Sequence, residues 1–224
     1  MIRWVYESVS RSSLLSSVIV ATDDARIQRA VESFGGQAVL TSPDHQSGTD
    51  RVAEVAASID ADVFVNIQGD EPMMPASTID AVCQPFVSDP NLQVCTARIG
   101  LDPHTAESPH VVKVVVDLQD KALYFSRSLI PYPRRQPASY FKHIGIYAYT
   151  RSFLSCLGRL RDSSLERSES LEQLRFLENG IAIRVVEIFE DSIGIDTPED
   201  VERVRPLLEN KRLWPDESSK GVTE

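Results

Sequence analysis

The chain has 224 residues, 33 of them acidic and 23 basic, for a net charge of −10. Its 42% hydrophobic and 25% charged content fits an ordinary globular protein, with length for one large α/β domain or two small ones. Neither a nucleic-acid partner nor membrane insertion is expected: the charge repels polyanionic surfaces, and no apolar run reaches about eighteen residues. The opening MIRWVYESVS lacks the basic-then-apolar pattern of a secretory signal, so the expected compartment is the cytoplasm. Cys83, Cys95 and Cys156 fit no metal spacing and read as reduced, mostly buried small hydrophobes. If an acidic chain is to hold a polyanionic substrate, something cationic must mediate, and a divalent metal is the usual answer.

In chain order, Trp4, Val5 and Ser8 to Leu15 suggest an opening helix, and Val18 to Ala21 a short buried strand. Asp23 or Asp24 caps a helix with the apolar face Ile27, Ala30, Val31 and Phe34, which Gly35 and Gly36 stop. Ala38 to Leu40 is the next strand, Thr49 to Ile59 a helix, and Val63 to Ile67 an apolar strand interrupted only by Asn66. Pro75 to Val87 reads as a helix with proline in its first turn. Strands follow at Val94 to Ile99, Val111 to Val116 and Phe141 to Tyr149, the last preceded by a Pro- and Arg-rich loop from Ser128 to Tyr140. Ser168 to Glu178 is a helix ended by Gly180, and Ile183 to Phe189 a strand. Thr197-Pro198-Glu199-Asp200 starts a last helix, with Val201, Val204 and Leu208 as its buried stripe and a polar tail from Asn210. Alternation of this kind predicts a mostly parallel sheet with helices on both faces, in one domain over residues 1–210 with a flexible tail at 211–224. In such folds ligands sit beyond the carboxyl ends of the strands.

Chemistry is sought there. The strand Val63 to Ile67 runs into Gln68-Gly69-Asp70-Glu71-Pro72, which sets Asp70 at a strand end as a metal ligand or as a turn former. Asp196 precedes a helix start where Thr197 can cap, leaving the aspartate free for a cation. Two carboxylates meeting at one end of a sheet would make a Mg²⁺ site with room for substrate phosphates. His45-Gln46-Ser47-Gly48-Thr49-Asp50-Arg51 is a polar loop entering a helix, either a plain cap or a ligand-reading loop whose Arg51 fork can face acceptors. Neither a Walker loop nor a GxGxxG is present, against P-loop kinases and dinucleotide enzymes. Arg127 follows the aromatic strand Leu123-Tyr124-Phe125-Ser126, and His143 is a strand histidine for which a structural role competes. Periodicity alone does not select Glu172 or Gln173.

Eight strings in unbroken order, VIVATDD, GGQAVLTSPDHQSGTDR, VNIQGDEPMMP, VVKVVVD, ALYFSR, KHIGIYAY, LEQLR and GIDTPEDVERV, resemble the cytidylyltransferases that activate 3-deoxy-manno-octulosonate (Kdo). The resemblance implies a three-layer α/β/α Rossmann-like nucleotidyltransferase with an excursion at about 120–165 used in substrate binding and homodimer formation. It implies transfer of CMP from CTP to Kdo, with pyrophosphate released and CMP-Kdo passed to lipopolysaccharide synthesis. Asp70 and Asp196 would hold Mg²⁺; Gly48, Thr49, Arg51 and Gln68 would bind the nucleotide. Arg127, His143, Tyr147, Glu172 and Gln173 would surround the sugar acid.

The departure is at the amino end. Family members open with an apolar strand and a loop of the type PARxxSxRxxGKP before a helix resembling the one that starts at Met1 here. The first strand, central in a doubly wound sheet, and the triphosphate loop are therefore expected to be missing, leaving two open inner edges and an apolar slot. A late-placed start codon, a real truncation and a degenerate non-catalytic binding paralogue each account for this, and in-frame translation upstream of Met1 separates them. A related acceptor such as 8-amino-Kdo is the rival within the enzyme class.

Overall fold

The computed structural model describes residues 1–135, 137–195 and 197–212. The first half alternates as expected: α1 (Ile2–Val9), β1 (Ile19–Thr22), α2 (Ala25–Ser33), β2 (Gln37–Leu40), α3 (Gly48–Ser58), β3 (Val63–Asn66) and α4 (Ala76–Cys83). There follow α5 (Pro85–Ser88), β4 (Val94–Leu101), α6 (Pro103–Ala106), β5 (Lys113–Val116), β6 (Ala122–Ser126) and β7 (Tyr140–Thr150). The chain continues through α7 (Arg151–Cys156), α8 (Ser164–Glu169), α9 (Gln173–Glu178), β8 (Ile183–Glu187) and α10 (Pro198–Arg212).

Local chemistry moves several boundaries. The opening helix ends at Val9 rather than near Leu15. Ser12 and Ser13 donate to the Asp80 carboxylate at 2.5 and 2.7 Å, and Leu14 N–H reaches it at 3.3 Å. Side chains and backbone spent on a distant acid are lost to a helix. Pro85 has no N–H to continue a helix, so the segment expected at Pro75 to Val87 divides into α4 and α5. Ser170 takes a left-handed φ of 54°, which divides the helix expected at Ser168 to Glu178 into α8 and α9. The last helix runs through Arg212, past the expected tail start at Asn210; residues 213–224 lie outside the described residues. Cys95 is buried and Cys83 partly so, but Cys156 is exposed.

The larger correction concerns strand direction. The main sheet is mixed, in the order β6-β5-β7-β4-β8, with β3 also on β7. β7 lies antiparallel to β4 along its length, while its other edge takes β3 near Thr150 and β5 at Lys142, both antiparallel. Among the described residues, only β4 and β8 are parallel neighbours in this sheet. The chain returns from β6 into an eleven-residue strand that runs against its neighbours, and alternation in a sequence carries no sign for that reversal.

Two cores flank this sheet, as a three-layer arrangement requires. Along β7, Ile144, Ile146 and Ala148 face Val5, Val9, Met74, Ile79 and Val82 from α1, α4 and the turn before α4. The alternate residues Tyr147 and Tyr149 face Phe153, Leu154, Leu174 and Phe176 from α7 and α9. The period of two in β7 therefore decides which core each residue joins. Among the described residues no helix is long and apolar enough to cross a membrane.

β1 and β2 form a separate two-stranded parallel ladder. Among the described residues, the edge of β1 away from β2 and the edge of β3 away from β7 have no strand partner. Between them lies a cavity of about 720 Å³, lined by Val18 to Ala21 on one side and Val63 to Ile67 on the other, with α1 and α3 closing it.

Candidate functional site

The amino end of α3 gathers the carboxyl ends of three strands. Ser47 caps the helix by accepting from Asp50 N–H at 3.1 Å. Gly48 packs so closely on β3 that an added Cβ would stand 3.3 Å from Gln68 Nε2 and 3.5 Å from Asn66 Nδ2. Arg51 reaches back to the ends of β1 and β2, donating to Asp23 Oδ2 at 2.9 Å, Thr41 Oγ1 at 2.9 Å and Ser42 O at 3.0 Å. One helix turn thus fixes β1, β2 and β3 with their carboxyl ends together, where ligands of α/β folds bind.

Glu172 belongs to the same cluster. Its carboxylate accepts from Thr49 Oγ1 at 2.6 Å, Ser47 Oγ at 2.9 Å and Arg175 Nη2 at 3.0 Å. It is therefore bound to the very loop that carries the nucleotide-binding residues named from the sequence. Thr49 also meets the Tyr149 hydroxyl at 3.3 Å.

From Tyr149 a band of rings runs along β7. Tyr147 stacks on Tyr149 with centroids 5.7 Å apart, and His143 tilts against Tyr147 at 5.4 Å and meets Phe125 edge-on at 4.9 Å. Burial first, then the Lys142 charge, pushes the His143 imidazole down to about 3, so the ring is neutral at physiological pH. Thr96 Oγ1 lies 3.1 Å from His143 Nε2 and 2.7 Å from the Ile146 carbonyl. A hydroxyl has one proton; given to Ile146, it leaves Nε2–H as the donor to Thr96 and Nδ1 as an acceptor. Gln173 Nε2 and the Tyr147 hydroxyl are buried without a hydrogen-bond partner of good geometry, Thr96 having spent its proton elsewhere. Buried polar atoms of this kind call for a polar ligand or water.

Arg127 stands beyond Phe125 at the end of β6. Its N–H and Nε bond Glu169 at 2.9 and 3.0 Å, and its Nη1 bonds the Pro109 carbonyl at 3.3 Å. Lys113, fully buried, donates its Nζ to the carbonyls of Ser108, Val111 and Arg127, locking the backbone that presents the guanidinium.

Asp70 is half-buried just past Gln68 and Gly69. Its carbonyl accepts Ile195 N–H at 2.9 Å, and Gly194 lies against the Glu71 carboxylate. Ser192 donates to Glu71, whose pKa is raised chiefly by burial. Lys142 pairs with Asp191 at 2.9 Å. Asp196 itself lies outside the described residues, yet the segment up to Ile195 is tied to Asp70 by these contacts. Among the described residues no cluster of three or more metal-ligating side chains occurs.

Gly48, Thr49, Gln68, Glu172, Tyr147 and His143 are thus joined by contacts, Gln173 follows Glu172 in the chain, Arg51 and Asp70 flank them, and Arg127 stands farthest out. The sequence did not point to Glu71, Thr96, Lys113, Glu169 or Arg175. Asn66 had a signal, as the one polar residue in an apolar strand, and it is buried beside Gly48.

Comparison with known proteins agrees with this geometry. A family model described as cytidylyltransferase matches residues 1–188. The chain is 49% identical over 211 residues to the 3-deoxy-manno-octulosonate cytidylyltransferase of Solibacter usitatus (strain Ellin6076), covering 93% of this chain and 84% of that protein. It is 46% identical over 209 residues to the protein of that name from Escherichia coli, covering 93% and 85%. Among solved structures it resembles CMP:2-keto-3-deoxy-manno-octonic acid synthetase complexed with CTP, at a TM-score of 0.90 and 45% identity over 94% of this chain and 88% of that one. The inositol-1-phosphate CTP transferase of T. maritima, 16% identical at a TM-score of 0.57, shares the fold alone.

Proposed function

This chain belongs to the 3-deoxy-manno-octulosonate cytidylyltransferase family, and from that premise we infer that it transfers CMP from CTP to Kdo with release of pyrophosphate. The observation that carries the inference is the identity of 46 to 49% with enzymes of that name over 93% of the chain. The product, CMP-Kdo, serves lipopolysaccharide synthesis. In the reaction a sugar hydroxyl oxygen forms a bond to the α-phosphorus, the bond from that phosphorus to the bridging oxygen breaks, and the hydroxyl proton passes to solvent.

We propose that the loop Ser47 to Arg51 with Gln68 holds the cytidine. Support comes from Gly48, whose missing side chain leaves the backbone against Gln68 and Asn66, and from Arg51, which ties the ends of β1 and β2 together. The sugar acid would lie along β7, satisfying the buried Tyr147 hydroxyl and Gln173 amide. Neutral His143 offers an acceptor there, and the Arg127 Nη2 edge is left for the carboxylate. Catalysis by these groups is mainly positioning: each holds one reactant so that the attack is effectively intramolecular.

Mg²⁺ fits the acidic corner. Asp70 gives a hard oxygen donor at a strand end, and the chain leading to Asp196 is held on its carbonyl. A magnesium site needs only one or two carboxylates, because phosphates and waters complete it. Bound there, Mg²⁺ would neutralise phosphate charge and acidify the attacking hydroxyl. The residues 120–165 are proposed as a substrate and homodimer excursion within a single domain at 1–210. Its support is the exposure of the large apolar groups Leu123 and Tyr132 within it, and of Leu118 just before it. Sedimentation velocity tests the dimer: a monomer at micromolar concentration would remove it.

Pyrophosphate release from CTP, Kdo and Mg²⁺ tests the function, with 8-amino-Kdo as the competing acceptor. Turnover with Kdo is expected; turnover only with the amino sugar would reassign the acceptor.

A further inference from the structure

β4 and β7 pair in register from Leu101 with Tyr140 to Ala97 with Ile144, and again from Thr96 with Tyr147 to Val94 with Tyr149. Between these runs β4 takes one step while β7 takes three, so Gly145 and Ile146 bulge out of register. Gly145 turns outward and is exposed, whereas Ile146 stays fully buried in the core with α1 and α4. The bulge shortens β7. His143 pairs with Arg98 and Tyr147 with Thr96, so four steps along β7 cover about 7 Å, the length of two on β4, in place of about 13 Å. The two rings consequently meet on one face of the sheet, with centroids 5.4 Å apart.

A bulge breaks ladder hydrogen bonds, and buried carbonyls freed by it need another donor. Thr96 supplies one from across the ladder. Its fully buried hydroxyl lies 2.7 Å from the Ile146 carbonyl and 3.2 Å from the Ile144 carbonyl, the two peptides that flank Gly145. The same oxygen lies 3.1 Å from His143 Nε2. A hydroxyl can donate to a carbonyl and accept from a ring N–H at once, and a valine of the same shape can do neither. With its proton given to Ile146, Thr96 offers only lone pairs to the ring. A bare Nε2 would face them lone pair to lone pair, which disfavours the Nδ1–H tautomer.

We propose that Thr96 is a positioning residue for His143: its hydroxyl closes the β7 bulge and holds the ring as the Nε2–H tautomer, leaving Nδ1 bare beside the Tyr147 hydroxyl. Its use in the reaction rests on the reading of β7 as the wall of the sugar-acid site. Nδ1 then accepts a sugar hydroxyl proton, and the Tyr147 hydroxyl, buried without a partner, serves a second sugar oxygen. Thr96 itself touches no substrate and acts through the ring.

Long-range proton–nitrogen spectra of the isotope-labelled 224-residue chain test this without turnover, because they tell protonated from bare ring nitrogens. Among the four histidines, His143 is assigned by its loss in His143→Gln. A single Nε2–H form is expected near neutral pH, kept in Thr96→Ser and replaced by a mixture of tautomers in Thr96→Val. Kdo affinity by calorimetry should fall about tenfold in Thr96→Val and return to within about twofold of the parent in Thr96→Ser, with CTP affinity unmoved. An Nδ1–H or mixed form in the parent would overturn the proposal, even if the valine variant failed to fold. A valine spectrum identical to that of the parent would overturn it too, since Thr96 would then only fill space. If the valine variant loses the Nε2–H form but Kdo neither binds the parent nor shifts its His143 signals, the lock on the ring stands and the reading of β7 as the sugar wall is what fails.

Discussion

The Thr49 hydroxyl donates a 2.6 Å hydrogen bond to Glu172, 123 residues away in sequence, and so fastens the first turn of α3 to the start of α9. The carboxylate collects Ser47 and Arg175 as well. Such a charge-assisted cluster is worth more than a neutral one because the acceptor is ionised. Glu172→Gln should therefore loosen the loop and raise KM for CTP about tenfold, with a smaller effect on kcat. Thr49→Val should do the same, and the double variant should be no worse than the more damaged single. Steady-state kinetics on the four proteins checks this; additive losses would show that the bond does not couple the two segments.

Asp70 is proposed as a ligand of the cation that meets the substrate phosphates. Asp70→Asn keeps the size and one carbonyl oxygen but removes the charge, and turnover should fall by a factor on the order of 100 or more. Asp196→Asn should do likewise. Pyrophosphate release over a magnesium titration is the measurement, with circular dichroism to show the fold kept. A rate near that of the parent would take Asp70 out of the cation site.

His143 makes a prediction about pH and stability. Its folded value of about 3 lies below the usual 6.5, so between those limits the unfolded chain binds a proton that the folded chain does not. Stability then falls as pH drops from 6.5 towards 3, by at most about 1.4 kcal/mol per pH unit from this residue. Above 6.5 the ring contributes no pH dependence. Urea unfolding at pH 7, 6 and 5 should show a shallower slope for His143→Gln than for the parent. Identical slopes would mean that the ring titrates normally in the fold.

Arg51 uses its fork on three acceptors from the ends of β1 and β2. A lysine keeps the charge but not the geometry. Arg51→Lys should weaken CTP binding about tenfold by calorimetry and lower the melting temperature by a few degrees. An unchanged affinity would show that charge alone is used there.

The first half of the fold was legible because short apolar runs alternate with capped helices, and Asp24, Ser47 and Thr197 cap as their residue types suggest. Strand direction was not legible, since periodicity is the same whichever way a strand runs, and β7 reversed the expected parallel order. The opening helix was misplaced because Asp80, nearly seventy residues on, claims Ser12 and Ser13. Within the site, motif strings led to Gly48, Thr49 and Asp70. The partners Thr96, Lys113 and Glu169 act on other side chains or on backbone through long-range contacts, and no local pattern marks a residue for that.

α3 has two duties that its sequence of eleven residues does not separate. Its first turn, Gly48 to Arg51, builds the proposed nucleotide loop, while Val52, Val55 and the following Ile59 wall the space between β1 and β3. The turn proposed to read the nucleotide and the apolar wall of the cavity are therefore carried by one helix, so a substitution that shifts α3 at Val52 or Val55 moves Gly48 to Arg51 with it.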